Sequence, residues 1–359
     1  MTAYFLRRLL LVPLTFLVIT FLVYSIQRLT PGGPIEQAQL KMRGAASEGG
    51  RGARASLSGS TDLPPEAMKQ LEHYYKLDRS IPVGYLIWLG LWPDADKGGA
   101  FSGIVEGDFG KSYRYSEPVL ATITSRFPVS IYFGLIGYLM SWVVCVPLGV
   151  GKALKHRTAF DTGTSVLVFL GYAIPGFVAC LVLLLLFATD LGWNWMPLGG
   201  FRSDNWSEMW AKGEWWWCVK DQVKHTIIPI IGETLGAFAT MTILMKNSLL
   251  DNLGADYVRT AFAKGLPERR VVYIHAMRNS LIPLVVGIGH AIGILFAGSF
   301  LIEKTCNING MGLLGYKSLV ERDYPVLMGI LVFLVLIGLI GNIISDLVLA
   351  LVDPRVRFK

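Results

Sequence analysis

Charged residues are scarce in this sequence. Asp, Glu, Lys and Arg make up only 16% of its 359 residues, while 53% are hydrophobic. Soluble domains usually carry about 25% charged residues. This scarcity excludes an ordinary soluble protein and indicates an integral membrane protein.

Motifs that carry catalytic chemistry are also lacking. The five histidines do not have the i, i+4 spacing of a helical metal site, and neither HExxH nor paired CxxC occurs. Gly110, Lys111 and Ser112 match the end of a phosphate-binding loop, but Val105 stands where that loop needs its first glycine. The sequence therefore predicts no catalytic residue, no metal site and no ATP hydrolysis by this chain.

Uncharged stretches long enough to cross the roughly 30 Å of a bilayer core are present instead. They cover residues 9–27, 127–151, 162–189, 226–245, 280–302 and 324–345. Alternating apolar and polar residues are absent from all of them, so each is predicted to be a transmembrane helix. The first follows Arg7 and Arg8 and is predicted to be a retained span, because no small-residue cleavage site follows it.

Basic residues cluster between the second and third spans, between the fourth and fifth spans, and at the C-terminus. Short cytoplasmic loops are enriched in Lys and Arg, and these segments fall on the same side as Arg7 and Arg8. Both termini are therefore predicted to be cytoplasmic. The same rule accounts for the net charge of +7 without a nucleic-acid partner.

These spans divide the chain into four parts: an N-terminal transmembrane helix at 1–28, an outer insert at 29–126, a five-helix core at 127–352 and a cytoplasmic tail at 353–359. Within the insert, the tract at 43–60 has too few large apolar residues to pack and is predicted to be flexible. Residues 62–77 that follow it are predicted to form a helix.

Two features inside the spans are candidates for a substrate path. Glu233 interrupts the fourth span, where a carboxylate is costly unless it faces protein or water. It either contacts a cationic substrate group or carries a proton, or it is a structural acid bonded to a neighbouring helix. Gly171 and Pro175, in "GYAIPGF", can break the regular geometry of the third span and make it mobile.

The predicted outer side holds further open questions. The loop at 190–225 contains seven tryptophans, which suit either a helix in the membrane interface or an aromatic substrate cage. Cys218 and Cys306 both fall on this side, where a disulfide is permitted. The sequence does not decide whether they are close enough to pair.

The segment at 255–279 is a polar, net-basic stretch between two apolar runs. Good helix formers lead to Gly265, a natural C-terminal cap, and Pro267 is favoured at a first helical position. The sequence predicts a short helix, a glycine stop and a second helix that runs directly into the fifth span. A short helix that is held rigidly by two spans can transmit a force applied to it to the membrane-spanning helices.

This spacing resembles the coupling loop, or EAA loop, of bacterial ABC importer permeases, in which Glu-Ala-Ala is followed by three residues and then by glycine. The positions of Glu-Ala-Ala are occupied by Arg259, Thr260 and Ala261, and the glycine position is occupied by Gly265. The Glu and the later Pro of that pattern are missing, but the Arg-Thr-Ala form is usual in the dipeptide and oligopeptide branch. "TPGGP", "GDFGKSY", "GYAIPGF", "IEKTCNINGMGLLGY" and "LVDPRVRF" extend the resemblance over nearly the whole chain, and the long insert favours the YejB type.

The resemblance implies an all-α type I ABC importer permease fold with six transmembrane helices and a coupling loop at 251–279, located in the bacterial inner membrane. It implies import of peptides, including oligopeptides and microcin C-like peptides. Implied partners are a second, homologous permease subunit, ATP-binding cassette subunits that carry the ATP and Mg²⁺, and a periplasmic peptide-binding protein. The implied ATPase-docking residues are Tyr257, Arg259, Thr260, Ala261, Lys264 and Gly265.

A proton-coupled secondary transporter that relies on Glu233 is the alternative. Such a protein would need no ATPase partner, so an ATPase subunit that co-purifies with this chain would exclude it. An integral-membrane enzyme would need a catalytic constellation near one surface, and the sequence shows none.

Overall fold

The computed structural model describes residues 2–30, 65–74 and 78–352. Within these residues the regular structure is helical, with two isolated β-bridges, Asp94↔Ala100 and Lys111↔Pro118. The predicted all-α class is therefore confirmed for the described part of the chain. The tract at 43–60 and the tail at 353–359 lie outside the described residues.

The helices, numbered in chain order, have the following bounds. Helices α1 to α4 are Thr2–Leu29, Pro65–Tyr74, Ile81–Leu89 and Val119–Thr124. Helices α5 to α9 are Phe127–Leu154, Ala159–Ala173, Gly176–Phe187, Trp206–Ala211 and Trp215–Leu253. Helices α10 to α13 are Asp256–Ala263, Glu268–Arg270, Met277–Ser280 and Ile282–Val286, and α14 to α17 are Ile288–Ala297, Phe300–Thr305, Met311–Val320 and Tyr324–Val352.

Four helical stretches among the described residues are long and apolar enough to cross a membrane: Leu6–Leu29, Val119–Leu154, Trp215–Leu253 and Tyr324–Val352. The other two predicted spans fall on bent pairs of helices. Ala159–Ala173 and Gly176–Phe187 meet at 94°, and Glu268–Val286 and Ala291–Thr305 meet at 44°. The described residues therefore contain four helices long and apolar enough to span a membrane, and up to six candidate spans if each bent pair counts as one.

Helix α9 is much longer than the apolar window that predicts it. Its 39 residues extend for about 58 Å at 1.5 Å per residue, well beyond the roughly 30 Å of a bilayer core. It begins at Trp215 rather than near Thr226, because polar residues such as Lys220 and Asp221 are also helical. Glu233 consequently lies at the middle of this helix.

The described helices form two compact units. The core unit comprises Met1–Leu10, Thr124–Tyr316 and Phe333–Lys359, and the insert unit comprises Leu11–Ile123 and Lys317–Val332. The core unit has two hydrophobic clusters, one towards each end of α9. One cluster contains Phe133, Cys180, Leu184, Ala188, Ile228, Ile230, Ile302, Cys306 and Ile308; the other contains Val150, Ala153, Met245, Leu249, Val258, Ala261, Val271, Ala276 and Leu284.

Glycines allow the helices of the core unit to approach each other closely. At the start of α7, a Cβ added to Gly176 would collide with the carbonyl oxygen of Gly232 on α9. A Cβ on Gly232 would in turn collide with the Cys180 sulfur. The two backbones meet at this point, as small residues in membrane helices permit.

The insert unit joins α3 to α1 by hydrogen bonds and aromatic contacts. The hydroxyl of Tyr85, which is 6% exposed, lies 2.8 Å from Thr20 Oγ1 and donates to the Leu17 carbonyl at 3.0 Å. Tyr85 also stacks on Trp88, with ring centroids 5.7 Å apart. Helix α3 is thus packed on α1.

The sequence "GKS" belongs to a structural turn in the same unit. Ser112 Oγ donates to Asp323 Oδ2 at 2.5 Å, and the same carboxylate accepts from the Tyr113 backbone N–H at 3.1 Å. Asp323 is only 1% exposed. Its buried carboxylate is satisfied by this turn, so the turn is built around an acidic side chain rather than a phosphate.

The cysteines are free thiols, and all four are buried. Cys306 lies in the same hydrophobic cluster as Cys180. Cys218 instead packs on α8, with its thiol 3.8 Å from the Trp206 carbonyl oxygen. The two outer cysteines that the sequence leaves as possible partners are therefore not joined in the structure.

Candidate functional site

The polar segment between α9 and the next apolar run begins with a short helix and ends it on a glycine. Helix α10 ends at Ala263, and the Gly265 amide donates to the Phe262 carbonyl at 2.9 Å. Gly265 has φ +76°, and Pro267 then precedes α11 with φ −66°. The predicted helix, glycine stop and proline restart are confirmed.

The continuation into the membrane differs from the single helix that the sequence predicts. A π-helical turn, Val271–Ala276, follows α11, and short helices follow it with breaks at Leu281 and Gly287. Such single turns of π-helix occur frequently at functional sites. Pro283 contributes to the irregularity, because it has no backbone N–H to donate to the preceding turn.

The buried face of this segment fixes it to the core unit. Val258 and Val271 are fully buried, and Ala261 is 8% exposed. All three pack in the cluster formed with Met245 and Leu249 of α9. Ala261, one of the six residues implied to dock an ATPase, thus turns its side chain towards this protein's own core.

The other five residues of that set are exposed: Tyr257, Arg259, Thr260, Lys264 and Gly265. The Tyr257 hydroxyl donates to Asn252 Oδ1 at 2.7 Å, so its ring is held against the end of α9. No atom lies within 4 Å of a Cβ built on Gly265. These residues lie on an accessible surface of the segment.

Three large apolar side chains are exposed on the same segment. Phe262 is 46% exposed, Tyr273 50% and Ile274 57%. Tyr273 and Ile274 are not among the residues that the sequence singles out, because an apolar residue before a span predicts burial in the membrane or the core. Large exposed apolar side chains grouped in one segment are typical of a surface that contacts a partner or the membrane.

Buried charges fix α6 to α5 and α9 close to this segment. The Asp161 carboxylate accepts from Lys246 Nζ at 2.8 Å through both oxygens and lies 3.2 Å from Lys152 Nζ. Lys152, which is 1% exposed, also donates to the Asp161 carbonyl, Thr164 and Ser165. We call Lys152, Asp161 and Lys246 the charge triad; no pattern in the sequence indicated that these three would meet.

Glu233 borders two cavities of the core unit. The larger has a volume of about 470 Å³ and is lined by residues of α5, α9 and α13 to α14. The smaller, of about 20 Å³, is also lined by Glu303. A Cβ built on Gly137 would lie 3.6 Å from Glu233 Oε2, so the carboxylate rests against bare backbone of α5.

The other two residues predicted for a substrate path lie elsewhere. Gly171 is near the end of α6, where an added Cβ would meet the Leu235 side chain at 3.2 Å. Pro175 lies at the 94° bend between α6 and α7. The bend confirms that "GYAIPGF" interrupts regular helix, but neither residue lines the two cavities that Glu233 borders.

Glu303 stabilises the N-terminus of α16. It is 6% exposed, and its carboxylate accepts from the backbone N–H groups of Gly312 and Leu313 at 3.3 and 2.7 Å. A Cβ on Gly298 would collide with it. An anionic side chain at a helix N-terminus satisfies backbone donors that otherwise have no partner.

Ser203, Asp221 and His225 meet in the tryptophan-rich region without forming a catalytic triad. Ser203 Oγ donates to Asp221 Oδ1 at 2.5 Å and lies 3.2 Å from His225 Nε2. His225 Nδ1 lies 3.1 Å from the Gly200 carbonyl oxygen. In a nucleophilic triad the acid would orient Nδ1, so this arrangement holds a loop to α9.

Tryptophans of this region stack on one another at its surface. Trp206 and Trp210 are stacked with ring centroids 5.1 Å apart, and Trp193 and Trp195 lie 5.2 Å apart. Trp210 is 47% exposed and Trp216 is 74% exposed. Helix α8 has only six residues, so the rings are spread over loops and the start of α9 rather than along one interfacial helix.

The apolar spans, the polar segment packed on α9 and the cavity beside Glu233 define a multi-pass helical membrane protein of the transport class. The family model described as "Binding-protein-dependent transport system inner membrane component" matches residues 145–358. This chain belongs to that family and is a multi-pass inner membrane protein.

Similar proteins align along the whole chain. A peptidoglycan transport system permease protein YejB of Agrobacterium fabrum is 36% identical over 376 residues, covering 100% of this chain and 99% of that protein. An inner membrane ABC transporter permease protein YejB of Escherichia coli O157:H7 is 36% identical, with 100% of each chain covered. An oligopeptide transport system permease protein AppB of Bacillus subtilis is 31% identical, again over 100% of both.

Proposed function

We propose that this chain is the membrane-spanning permease subunit of an ATP-driven peptide importer. The names of full-length relatives refer to oligopeptide and peptidoglycan transport, and the family is defined by dependence on a binding protein. The proposed substrates are peptides, including oligopeptides and microcin C-like peptides. The chain itself carries no catalytic role in this proposal, and ATP is bound and hydrolysed by a partner.

The observation that supports coupling to a partner is the exposed surface of the segment around α10. One face of α10 is anchored in the core by Val258 and Ala261, while Phe262 on the same helix is 46% exposed. The movement of a motor protein bound to this surface would be transmitted from α10 to α9, because the buried face of α10 packs against α9. We therefore assign the docking role to Tyr257, Arg259, Thr260, Lys264 and Gly265, with Phe262, Tyr273 and Ile274 as the apolar part of the surface.

Three further partners complete the proposed importer. A second, homologous permease subunit shares the path across the membrane, ATP-binding cassette subunits bind the segment around α10, and a peptide-binding protein delivers the substrate. In this arrangement both termini and α10 face the cytoplasm, as the distribution of basic residues predicts. The six apolar spans are then four straight helices and two bent pairs, each crossing once.

The docking surface is tested by changing one apolar residue to a charge. Phe262→Asp places a carboxylate in the surface without disturbing the buried face of α10, so we expect loss of ATPase co-purification and of peptide uptake. Phe101→Asp is the matched control, because Phe101 is 55% exposed but lies in the insert unit. Normal co-purification and uptake with Phe262→Asp would contradict the docking assignment.

Proton-coupled transport through Glu233 is not favoured by the family to which the chain belongs. The two mechanisms differ in their energy source. Uptake by the reconstituted importer should require ATP and persist after a protonophore collapses the proton gradient. Uptake that needs the gradient but not ATP would overturn the proposed function.

A further inference from the structure

The larger cavity has the size and walls of a small-molecule site. Its volume of about 470 Å³ lies within the roughly 300–1,000 Å³ typical of ligand pockets. Its walls come mainly from apolar side chains and glycines of α5, α9, α13 and α14. Among the lining residues whose side chains the structure describes, none is Lys, Arg or His, and Glu233 is the charged group.

The three Ser and Thr hydroxyls in the cavity wall are already satisfied by their own helices. Ser141 Oγ donates to the Gly137 carbonyl at 2.9 Å. Thr234 and Thr240 donate to the Ile230 and Ala237 carbonyls at 2.7 and 3.0 Å. These hydroxyls serve the backbone of the helices, so they are not the groups that a ligand would find available.

Glu233 differs from these hydroxyls. Across the described residues, no hydrogen bond or ion pair joins its carboxylate to another side chain or to the backbone. Glu303, which lines the same smaller cavity, is itself held by two backbone N–H groups and offers no counter-charge. A carboxylate inside a membrane-spanning region costs about 2.5–3.5 kcal/mol on insertion scales unless water or a cation compensates it.

Two aromatic residues of α5 complete the cavity wall. Tyr138 and Trp142 lie one turn apart, with ring centroids 6.0 Å from each other. Their hydroxyl and indole N–H are buried without a partner that meets hydrogen-bond geometry. Aromatic rings and a carboxylate in the wall of one cavity are a combination that binds organic ammonium groups.

The chemistry of the site favours an ammonium group over a metal ion. Among the described residues there is no group of three or more His, Cys, Asp or Glu that could hold a metal. The largely apolar walls accommodate carbon chains, which a bare ion does not have. A single carboxylate at the edge of an apolar cavity binds one cationic group of a larger, partly apolar ligand.

From this geometry we propose that Glu233 is the counter-charge for an ammonium group of the transported peptide, with Tyr138 and Trp142 as the aromatic wall beside it. The ammonium can be the peptide's amino terminus or a lysine side chain. The proposal rests on the proposed function, since it names the charged group of the peptide that the transport path recognises. It makes Glu233 a specificity-determining residue, separate from selection by the binding protein.

The test compares peptides that differ only in one amine. The complete importer, reconstituted in vesicles with its binding protein, is given Ala-Lys-Ala, the same peptide with the lysine acetylated, and the same peptide with the amino terminus acetylated. Glu233→Gln removes the charge and keeps the shape of the side chain. Ser141→Ala is the control, because Ser141 lines the same cavity but bonds to its own helix.

We expect the ratio of amine to acetylated uptake to fall about tenfold in Glu233→Gln, a change of about 1.4 kcal/mol, and to stay unchanged in Ser141→Ala. The arm in which the ratio falls identifies whether the terminal or the side-chain amine binds. An unchanged ratio in both arms of Glu233→Gln would overturn the inference and leave the proposed function intact.

Two further outcomes are decided by the wild-type importer and do not depend on the folding of the variant. Equal import of all three peptides by the wild type would refute selection of an ammonium group by this importer. Failure of the wild type to import any peptide, with its ATPase assembled, would overturn the proposed function itself.

Discussion

Loss of the Asp161 charge is expected to destabilise the fold, because this carboxylate faces two buried lysines. Asp161→Asn keeps the size of the side chain but leaves Lys246 without its carboxylate and Lys152 with only neutral acceptors. The side chains of Asp161, Lys152 and Lys246 are 7%, 1% and 15% exposed. Two lysines would then remain enclosed with no opposing charge.

The magnitude follows from removal of one partner from a buried ion pair, which costs roughly 3–5 kcal/mol when the pair is fully enclosed. The charge triad lies where α5 ends and α6 begins, so water can partly replace the lost partner. Lys152 also keeps three neutral acceptors: the Asp161 carbonyl, Thr164 and Ser165. We therefore expect a loss of about 2 kcal/mol in the free energy of unfolding.

Thermal denaturation of the purified protein in detergent measures this loss, with the wild type and Asp256→Asn run in parallel. Asp256 also pairs with a basic residue, Arg259, but its side chain is 98% exposed, so its replacement should leave the midpoint unchanged. Asp161→Asn combined with Lys246→Met should recover part of the loss, because it removes one stranded charge. An unchanged midpoint for Asp161→Asn, or no recovery in the double variant, would refute the reasoning.

Two other predictions concern the segment around α10 and the N-terminus of α16. Gly265→Arg should abolish peptide uptake and transport-coupled ATPase activity while membrane insertion remains normal, since the added side chain meets no atom within 4 Å but projects from the docking surface. Asn tolerates the φ of +76° better than other residues, so Gly265→Asn should retain more activity. Equal activity of the two variants would count against docking at this point. Glu303→Gln should lower the free energy of unfolding by about 1.5 kcal/mol, because its hydrogen bonds to the backbone of α16 become weaker. Thermal denaturation measures this loss, with the exposed Glu208→Gln as the control. Equal midpoints of the two variants would show that the charge of Glu303 is not needed.

The helix, glycine stop and proline restart around Gly265 could be read directly from the sequence. Each depends on local conformational preference: Gly265 adopts a positive φ at little cost, and Pro267 fits the start of a helix. The bent third span follows in the same way from Gly171 and Pro175. The residues that carry the resemblance to the peptide permeases also indicated the family that the comparisons confirm.

Features that depend on contacts between distant residues could not be predicted in this way. Residues Asp161 and Lys246 are 85 positions apart, and hydropathy showed only that both flank apolar runs. The burial of Ala261 and the exposure of Tyr273 and Ile274 depend on which side of the segment meets α9. Cys306 lies with Cys180 rather than with Cys218 for the same reason.

The sequence by itself determined the membrane class and the helical fold, because charge is scarce over long stretches. It also determined the break in the third span and the shape of the segment around α10, because glycine and proline act on the backbone over a few residues. Only the tertiary structure decided that Glu233 borders a cavity with no partner among the described side chains, and that Asp161 joins two buried lysines. Burial and pairing are properties of several helices packed together. A charged residue inside a span is therefore visible in the sequence, but its partner, or the lack of one, is set by packing.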